Sequence, residues 1–414
     1  MEVTTRARAR MRLRTTGFGV LAAFCSLSAL DPLAVARADP GASYFGDHFE
    51  LVALALPAGL SAGNASVVNN DGLIVGLAWA DNGSPQGVVW RDRVPVVIPD
   101  SLPVTVNDAG QVAGNQFPSD APSRGFLWAN GQLTMLAPTS PGPGRFSTVS
   151  ALAPDGTAIG VSGSDLAGSE IPGPNTRATV WYGGVATDLG TLGGTWSSAD
   201  LINDRGQVAG VSATATGDQH AFLSAPGGLR DLGTLGGRYS YPIAINNRGQ
   251  VVGMSDTPDG HGHAVLWEDG QIIDLGVAPG FGDSAAIGLN DRGQVLVENY
   301  GTAGTGVDSQ APAFPASTPS AYVWTAGQRQ YLTGFGGDTI SPLEINEDGA
   351  VIGSATTPDG VARPYLWSDG VARDIGGPGT LASGVVSSRN RLGQLVGFTT
   401  PQSGRQVPLF WQAD

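Results

Sequence analysis

The stretch "INDRGQVAG", Ile202 to Gly210, sets an Asn-x-x-Gly tetrad between two apolar runs. Asn at the first position and Gly at the fourth suit a type I turn, because the amide oxygen caps the following backbone N–H groups and glycine accepts the left-handed conformation. Near-copies recur along the chain. The first glycine of Asn-x-x-Gly-x-[Val/Ile/Leu]-x-Gly falls at Gly72, Gly110, Gly156, Gly206, Gly249, Gly293, Gly349 and Gly393, at gaps of 38, 46, 50, 43, 44, 56 and 44 residues. In seven copies the asparagine stands three residues earlier, at Asn69, Asn107, Asn203, Asn246, Asn290, Asn346 and Asn390. Eight copies about 46 residues apart match the ~40 to 50 residues of a four-stranded propeller blade. The quoted stretch is then the hairpin corner between a blade's first two strands.

A second glycine follows in strand two, at Gly76, Gly114, Gly160, Gly210, Gly253, Gly353 and Gly397, with Val297 as the exception. Glycine weakens a strand, so its return at one register implies a close approach of backbones. Strand three ends in Trp90, Trp128, Trp181, Trp267, Trp324, Trp367 and Trp411, with Ser224 in the fourth copy. Seven of the nine tryptophans thus share one repeat position, as stacked core residues do. Strand four reads "VATDLG", "LRDLG" and "IIDLG". The last copy stops after its third strand at "PLFWQAD", while "HFELVALAL" precedes the first copy and reads as a fourth strand. The predicted fold is all-β: a propeller of eight four-stranded blades, with seven as the competing count, closed by pairing the two chain ends.

Arginines at positions 6, 8, 10, 12 and 14, an apolar run from Gly17 to Leu30, and Ala36-Arg37-Ala38 read as a signal peptide over residues 1–38, with Met1 or Met11 as the start. Residues 39–414 form a single propeller domain in this reading, secreted and without a transmembrane anchor. Cys25 is the one cysteine and falls in the leader, which excludes disulfides and thiolate chemistry from the mature chain. Cleavage would remove six arginines and two acidic residues, taking the net charge from −14 to −18. Such a surface repels phosphate backbones, so nucleic acid is excluded as an expected partner. All 22 basic residues are arginine, which reads as the coding bias of a bacterial genome. Gly at 62 residues is about twice the usual ~7%, and charged residues at 14% fall below the usual ~25%, as suits short strands and tight turns.

"INDRGQVAG", "HAFL" at His220 to Leu223, and "DLGTLGG" at Asp188 to Gly194 and at Asp231 to Gly237 resemble the HAF-type extracellular repeat proteins. The resemblance spans nearly all of the mature chain and is strongest between residues 180 and 280. It implies a secreted, propeller-like repeat protein and assigns no reaction.

Several motifs invite chemistry. His261 and His263 in "PDGHGHAVLW" have metal-ligand types at close spacing, but only Asp259 offers a third ligand, and His263 repeats the position of His220. The acidic corners "NNDG", "NDAG", "NDRG" and "NEDG" offer one or two oxygens each, too few for a calcium loop, so no metal or cofactor is expected. No G-x-S-x-G elbow or phosphate-binding loop is present, and a non-catalytic role is expected over a propeller hydrolase. In an axis-to-rim strand order, the loops between strands two and three share a face with the blade-to-blade connections. The long insertions, Val161 to Ala178 and Glu298 to Ala321, fall there, as do Phe146, Trp196, Tyr239, Tyr241, Phe281 and Phe335. These six are the candidate ligand-binding residues, since aromatic rings suit sugars or peptides; the competing reading has each packed on the next blade. The expectation is a monomeric binding protein for a glycan or a surface protein, with an extracellular scaffold as the alternative.

Overall fold

The computed structural model describes residues 43–46, 49–118, 120–140, 142, 144–164, 175–301, 320–376, 384–401 and 404–413. The leader expected over 1–38 and the middles of the two insertions, 165–174 and 302–319, lie outside the described residues. The described chain folds into eight antiparallel sheets, seven of four strands and one of five. Blades 1 to 7 cover residues 62–98, 102–135, 145–188, 193–231, 240–274, 283–331 and 340–374. Blade 8 combines Gly384–Arg389, Leu395–Thr399 and Val407–Ala413 with Phe49–Ala53 from the other end of the chain. Phe49 lies opposite Ala413 and Ala53 opposite Leu409, so the ring closes as expected, with eight blades and not seven. Ser43–Gly46 then adds an outer fifth strand that the repeat pattern did not foretell.

Each blade runs from axis to rim in chain order, and the first strands of consecutive blades meet around the centre. A sheet with two apolar faces cannot shield either alone, and the core lies accordingly between blades. Ala209, Ala221 and Leu223 of blade 4 pack with Val251, Val265 and Trp267 of blade 5, while Val396 and Phe410 of blade 8 join Ala65, Ile74 and Trp90 of blade 1. Three of the repeated tryptophans are polar ties as well as filler. Trp90, Trp181 and Trp411 each donate their indole N–H to a carbonyl of the connection entering their blade, Ala55 at 2.7 Å, Ala137 at 2.6 Å and Ile375 at 2.9 Å. In blades 6 and 7 the tyrosine two residues before the tryptophan does this instead, Tyr322 to Leu275 and Tyr365 to Thr333.

All eight innermost strands carry a β-bulge at one register, with the residue before it opposite the strand-two position that is glycine in seven blades. The extra residue tips the preceding carbonyl toward strand two. A Cβ on Gly253 would overlap the carbonyl oxygen of Tyr241, and one on Gly210 that of Ser198, so glycine is required by backbone approach. Blade 6 departs: Val297 takes the strand-two position, and its glycine is Gly288, just past the bulge on strand one.

The repeat asparagine works in two directions. In blade 1, Asn69 Oδ1 accepts from Asp71 N at 3.1 Å and Leu73 N at 2.8 Å, fixing the turn. Its Nδ2 donates to the Asn107 carbonyl of blade 2 at 2.9 Å. The same interblade bond runs from Asn107 to Ala153, Asn203 to Asn246, Asn246 to Asn290, Asn290 to Asn346 and, across the closure, Asn390 to Asn69. At the blade 7–8 junction a carboxylate, Glu344, faces the guanidinium of Arg389.

Two expectations follow from these constraints. Gly253→Val should lower stability by about 1–3 kcal/mol, the usual cost of overpacking, whereas Val297→Gly should cost less than that; equal thermal shifts would refute the carbonyl-approach argument. Asn246→Ala, which removes a turn cap and a buried interblade bond, should cost about 2 kcal/mol and clearly more than Asn346→Ala, read from thermal midpoints.

Candidate functional site

Antiparallel succession puts the first-to-second and third-to-fourth turns on one face, and the second-to-third turns with the blade connections on the other. On the turn face, the residues after the asparagines form a polar ring. Asn70 donates to Asp108, and Asn247 Nδ2 reaches Asp204 at 2.9 Å and Asp291 at 3.0 Å. Arg391 of blade 8 lies 3.7 Å from Asp204 of blade 4, its diametric opposite, so an ion pair spans the axial opening there.

On the connection face, the six aromatic candidates separate. Phe146 at 4% exposure, Tyr241 at 9% and Phe281 at 4% are core residues, and as ligand platforms they are corrected to blade-to-blade packing. The cause is position: each sits in or just before an innermost strand, where the neighbouring sheet covers it. Phe335 is half-buried with its ring edge-on to Tyr365, centroids 5.8 Å apart. Tyr239 is half-buried beneath Arg238, which is held by Asp218 at 2.5 Å. Trp196 is half-buried in the first strand of blade 4.

The connection-face cleft between blades 5 and 6 gathers more chemistry than these rings. Tyr241 faces Met254 across the first strand pair of blade 5 and so borders this cleft, whereas Tyr239 is bridged to Gln219 of blade 4. From blade 6, the Tyr300 hydroxyl donates to Met254 Sδ at 2.9 Å. Phe281 leads into Asp283, which is 3% exposed at its side chain, accepts from Gly262 N at 2.7 Å and lies 3.4 Å from Nδ1 of the half-exposed His261. A buried carboxylate thus lies within ion-pair distance of an accessible imidazole. Glu298, two residues before Tyr300, pairs with Ala321 and shares the face of Leu296, which packs on blade 7.

Asp256, Asp283, Glu298 and Tyr300 were not singled out from sequence. One signal was present: Val297-Glu298 breaks the repeat at the strand-two glycine, and Glu298 stands where the other blades carry Leu77, Asn115, Val161, Val211, Met254, Ser354 and Phe398. The two histidines of "HGH" part company. His263 pairs with Asp274 at 3.0 Å, a strand-three-to-four tie repeated by His220 with Asp231, Arg177 with Asp188 and Arg363 with Asp374, whereas His261 turns to Asp283. Among the described residues no three ligating side chains converge as a metal site.

Burial sets the protonation of this region. Desolvation pushes the Glu298 carboxyl up to about 7. It also raises the Tyr300 phenol, assisted by the carboxylates of Asp283, Glu298 and Asp256. Two carboxyls of innermost strands behave likewise. Asp200, the bulged residue of blade 4, is pushed up to about 6 by burial against the opposing hydrogen bond of Ser198, and its Oδ2 has no partner. Glu344 is pushed up to about 7 by burial against the attraction of Arg389. These three carboxyls keep protons in the folded chain that the unfolded chain has lost above about pH 4.5, so stability falls as pH rises from there through about 7. Asp218 and Asp259, lowered chiefly by hydrogen bonds from Arg238 and Thr257, act oppositely and lose their contribution in acid. The thermal midpoint should therefore peak near pH 5, and Asp200→Asn with Glu344→Gln should flatten its alkaline decline; a midpoint rising steadily to about pH 7.5 would contradict this.

Neither a protein-family model nor a curated protein sequence matches the chain. Solved propellers are similar at low identity. The Pyrococcus horikoshii acylaminoacyl peptidase is 15% identical at a TM-score of 0.45, covering 84% of this chain and 50% of its own. A Mycobacterium tuberculosis puromycin-hydrolyzing peptidase is 13% identical at 0.46, with coverages of 84% and 62%. The Xanthomonas campestris gluconolactonase is 10% identical at 0.35, with coverages of 94% and 100%. The chain therefore spans only 50% and 62% of the two peptidases.

Proposed function

We propose that the protein is a secreted, monomeric, non-catalytic member of the HAF-type repeat proteins that binds a glycan on its connection face, at the cleft between blades 5 and 6. One observation carries the reading: accessible His261 pairs with buried Asp283, whose carboxylate also neighbours the Tyr300 phenol, at the mouth of this cleft. Sugar recognition needs both kinds of group, because hydroxyls are read by directional polar side chains and the apolar faces of the ring by aromatics. The acidic surface supports the choice of sugar class, since a net charge of −14 for the whole chain disfavours sulfated or phosphorylated polymers. Half-buried Trp196, one blade removed from Tyr239, is placed to extend the contact along the same face.

The burial of Phe146, Tyr241 and Phe281 favours a second reading, an extracellular scaffold whose aromatics serve packing alone. Screening the purified protein against a broad set of immobilised glycans separates the two. Selective retention is expected, unchanged by calcium and reduced about tenfold or more by Asp283→Asn or by Tyr239→Ala, the loss of roughly one good polar or stacking contact. Silence across all glycans would reject this reading in favour of the scaffold.

A further inference from the structure

Blade 4 alone lacks the strand-three tryptophan, and the place of that indole is open. In the other seven blades the side chain packs in the core shared with the preceding blade: Trp181 with Leu136 between blades 2 and 3, for example, and Trp411 with Ile375 between blades 7 and 8. Where such an indole N–H is bonded, its acceptor is a carbonyl of the connection entering the blade, as Ala137 is for Trp181 and Ile375 for Trp411. In blade 4 the residue is Ser224, whose hydroxyl accepts from Val208 N at 2.8 Å. The connection entering this blade runs through Asp188, Leu189 and Gly190, and Leu189 matches Ile375 in following the strand-four aspartate. Between that connection and Ser224 lies a cleft of about 450 Å³, bounded on the blade 4 side also by Ala225 and Gly228.

We infer that this rim cleft between blades 3 and 4 binds an indole ring supplied from outside the chain, seated where the other seven blades carry their own. The walls suit a neutral flat ring with one N–H donor. Leu189 gives apolar surface, and among the described residues no hydrogen bond reaches its carbonyl, the counterpart of the one that accepts from Trp411. The Asp188 carboxylate is already engaged, accepting from Gly190 N at 2.7 Å and lying 3.8 Å from Arg177, so no unbalanced charge borders the cleft. On the blade 3 side, Tyr182 and Val185 lie opposite one another on the face that Val180 turns to blade 4, and they are 69% and 68% exposed. They offer a ring and an aliphatic group to a ligand entering there. A space left by a missing core side chain forfeits dispersion contacts, and an apolar ring of fitting size restores them. Free indole derivatives and the tryptophan of a partner protein present the same chemistry. The site stands apart from the glycan cleft between blades 5 and 6.

Ligand-observed NMR titration of the full chain tests this with indole, 1-methylindole, a short tryptophan-containing peptide, and the same peptide with leucine in place of tryptophan. Saturable indole binding is expected, about fivefold weaker for 1-methylindole, which has lost the N–H donor. Ser224→Trp restores the repeat residue, so it should abolish indole binding and raise the thermal midpoint. Tyr182→Ala changes an exposed residue and should weaken binding about three- to tenfold at an unchanged midpoint; it keeps the test decisive if Ser224→Trp fails to fold. Tighter binding of the tryptophan peptide than of free indole would identify the source as a protein partner, and the reverse order a small molecule. The assignment is overturned if no indole probe binds up to its solubility limit, or if both substitutions leave indole binding unchanged.

Discussion

The torus depends on one amide per blade serving two masters. The oxygen of the repeat asparagine fixes its own hairpin in seven blades, and in six of these the nitrogen holds the next blade at the same turn. Curvature of the hairpin and spacing of the blades are thereby set by a single side chain, which neither aspartate nor glutamine would do in the same way: aspartate lacks the donor, and glutamine is too long for the turn. The bond from Asn390 to Asn69 joins residues 321 apart in sequence, so the device that spaces neighbours also closes the circle. At two points other means appear. Blade 3 has Ala153, and the junction of blades 7 and 8 brings Glu344 against Arg389.

Around that belt, the glycine and bulge register sets how tightly the sheets approach the axis. The bulge turns a carbonyl into strand two, glycine leaves room for it, and the sheets twist enough to stack radially. Strand pairing of Phe49–Ala53 with Val407–Ala413 then leaves no gap in the ring, while tryptophan or tyrosine ties the third strand of five blades to the connection entering it. Packing and hydrogen bonding are not separate layers here: Trp90 and Trp411 each fill a core and satisfy a buried carbonyl.

Most of the architecture was legible because it repeats. Eight copies of the turn glycine, seven of them with asparagine three residues earlier, gave the blade count, the strand-two glycines implied the close approach now traced to the bulge, and the unfinished last copy foretold the closure. The interblade role of the asparagine nitrogen was not legible, since turn chemistry alone accounts for the residue. The outer strand Ser43–Gly46 has no counterpart in the repeat and left no signal. For the site, repetition misled. Aromatics near blade connections were equally consistent with ligand contact and with packing, and only burial separates Phe146 from Trp196. The informative residue was one that breaks the pattern, Ser224, because a position that is tryptophan in seven blades and serine in the eighth answers to something other than the fold.

The charged span between Arg391 and Asp204 links blade 8 directly to blade 4 across the axis. Its partners belong to opposite blades, so it acts as a crossbar on the turn side of the axial opening. One contact thus bears on opposite arcs of the ring at once, which no bond between neighbouring blades does.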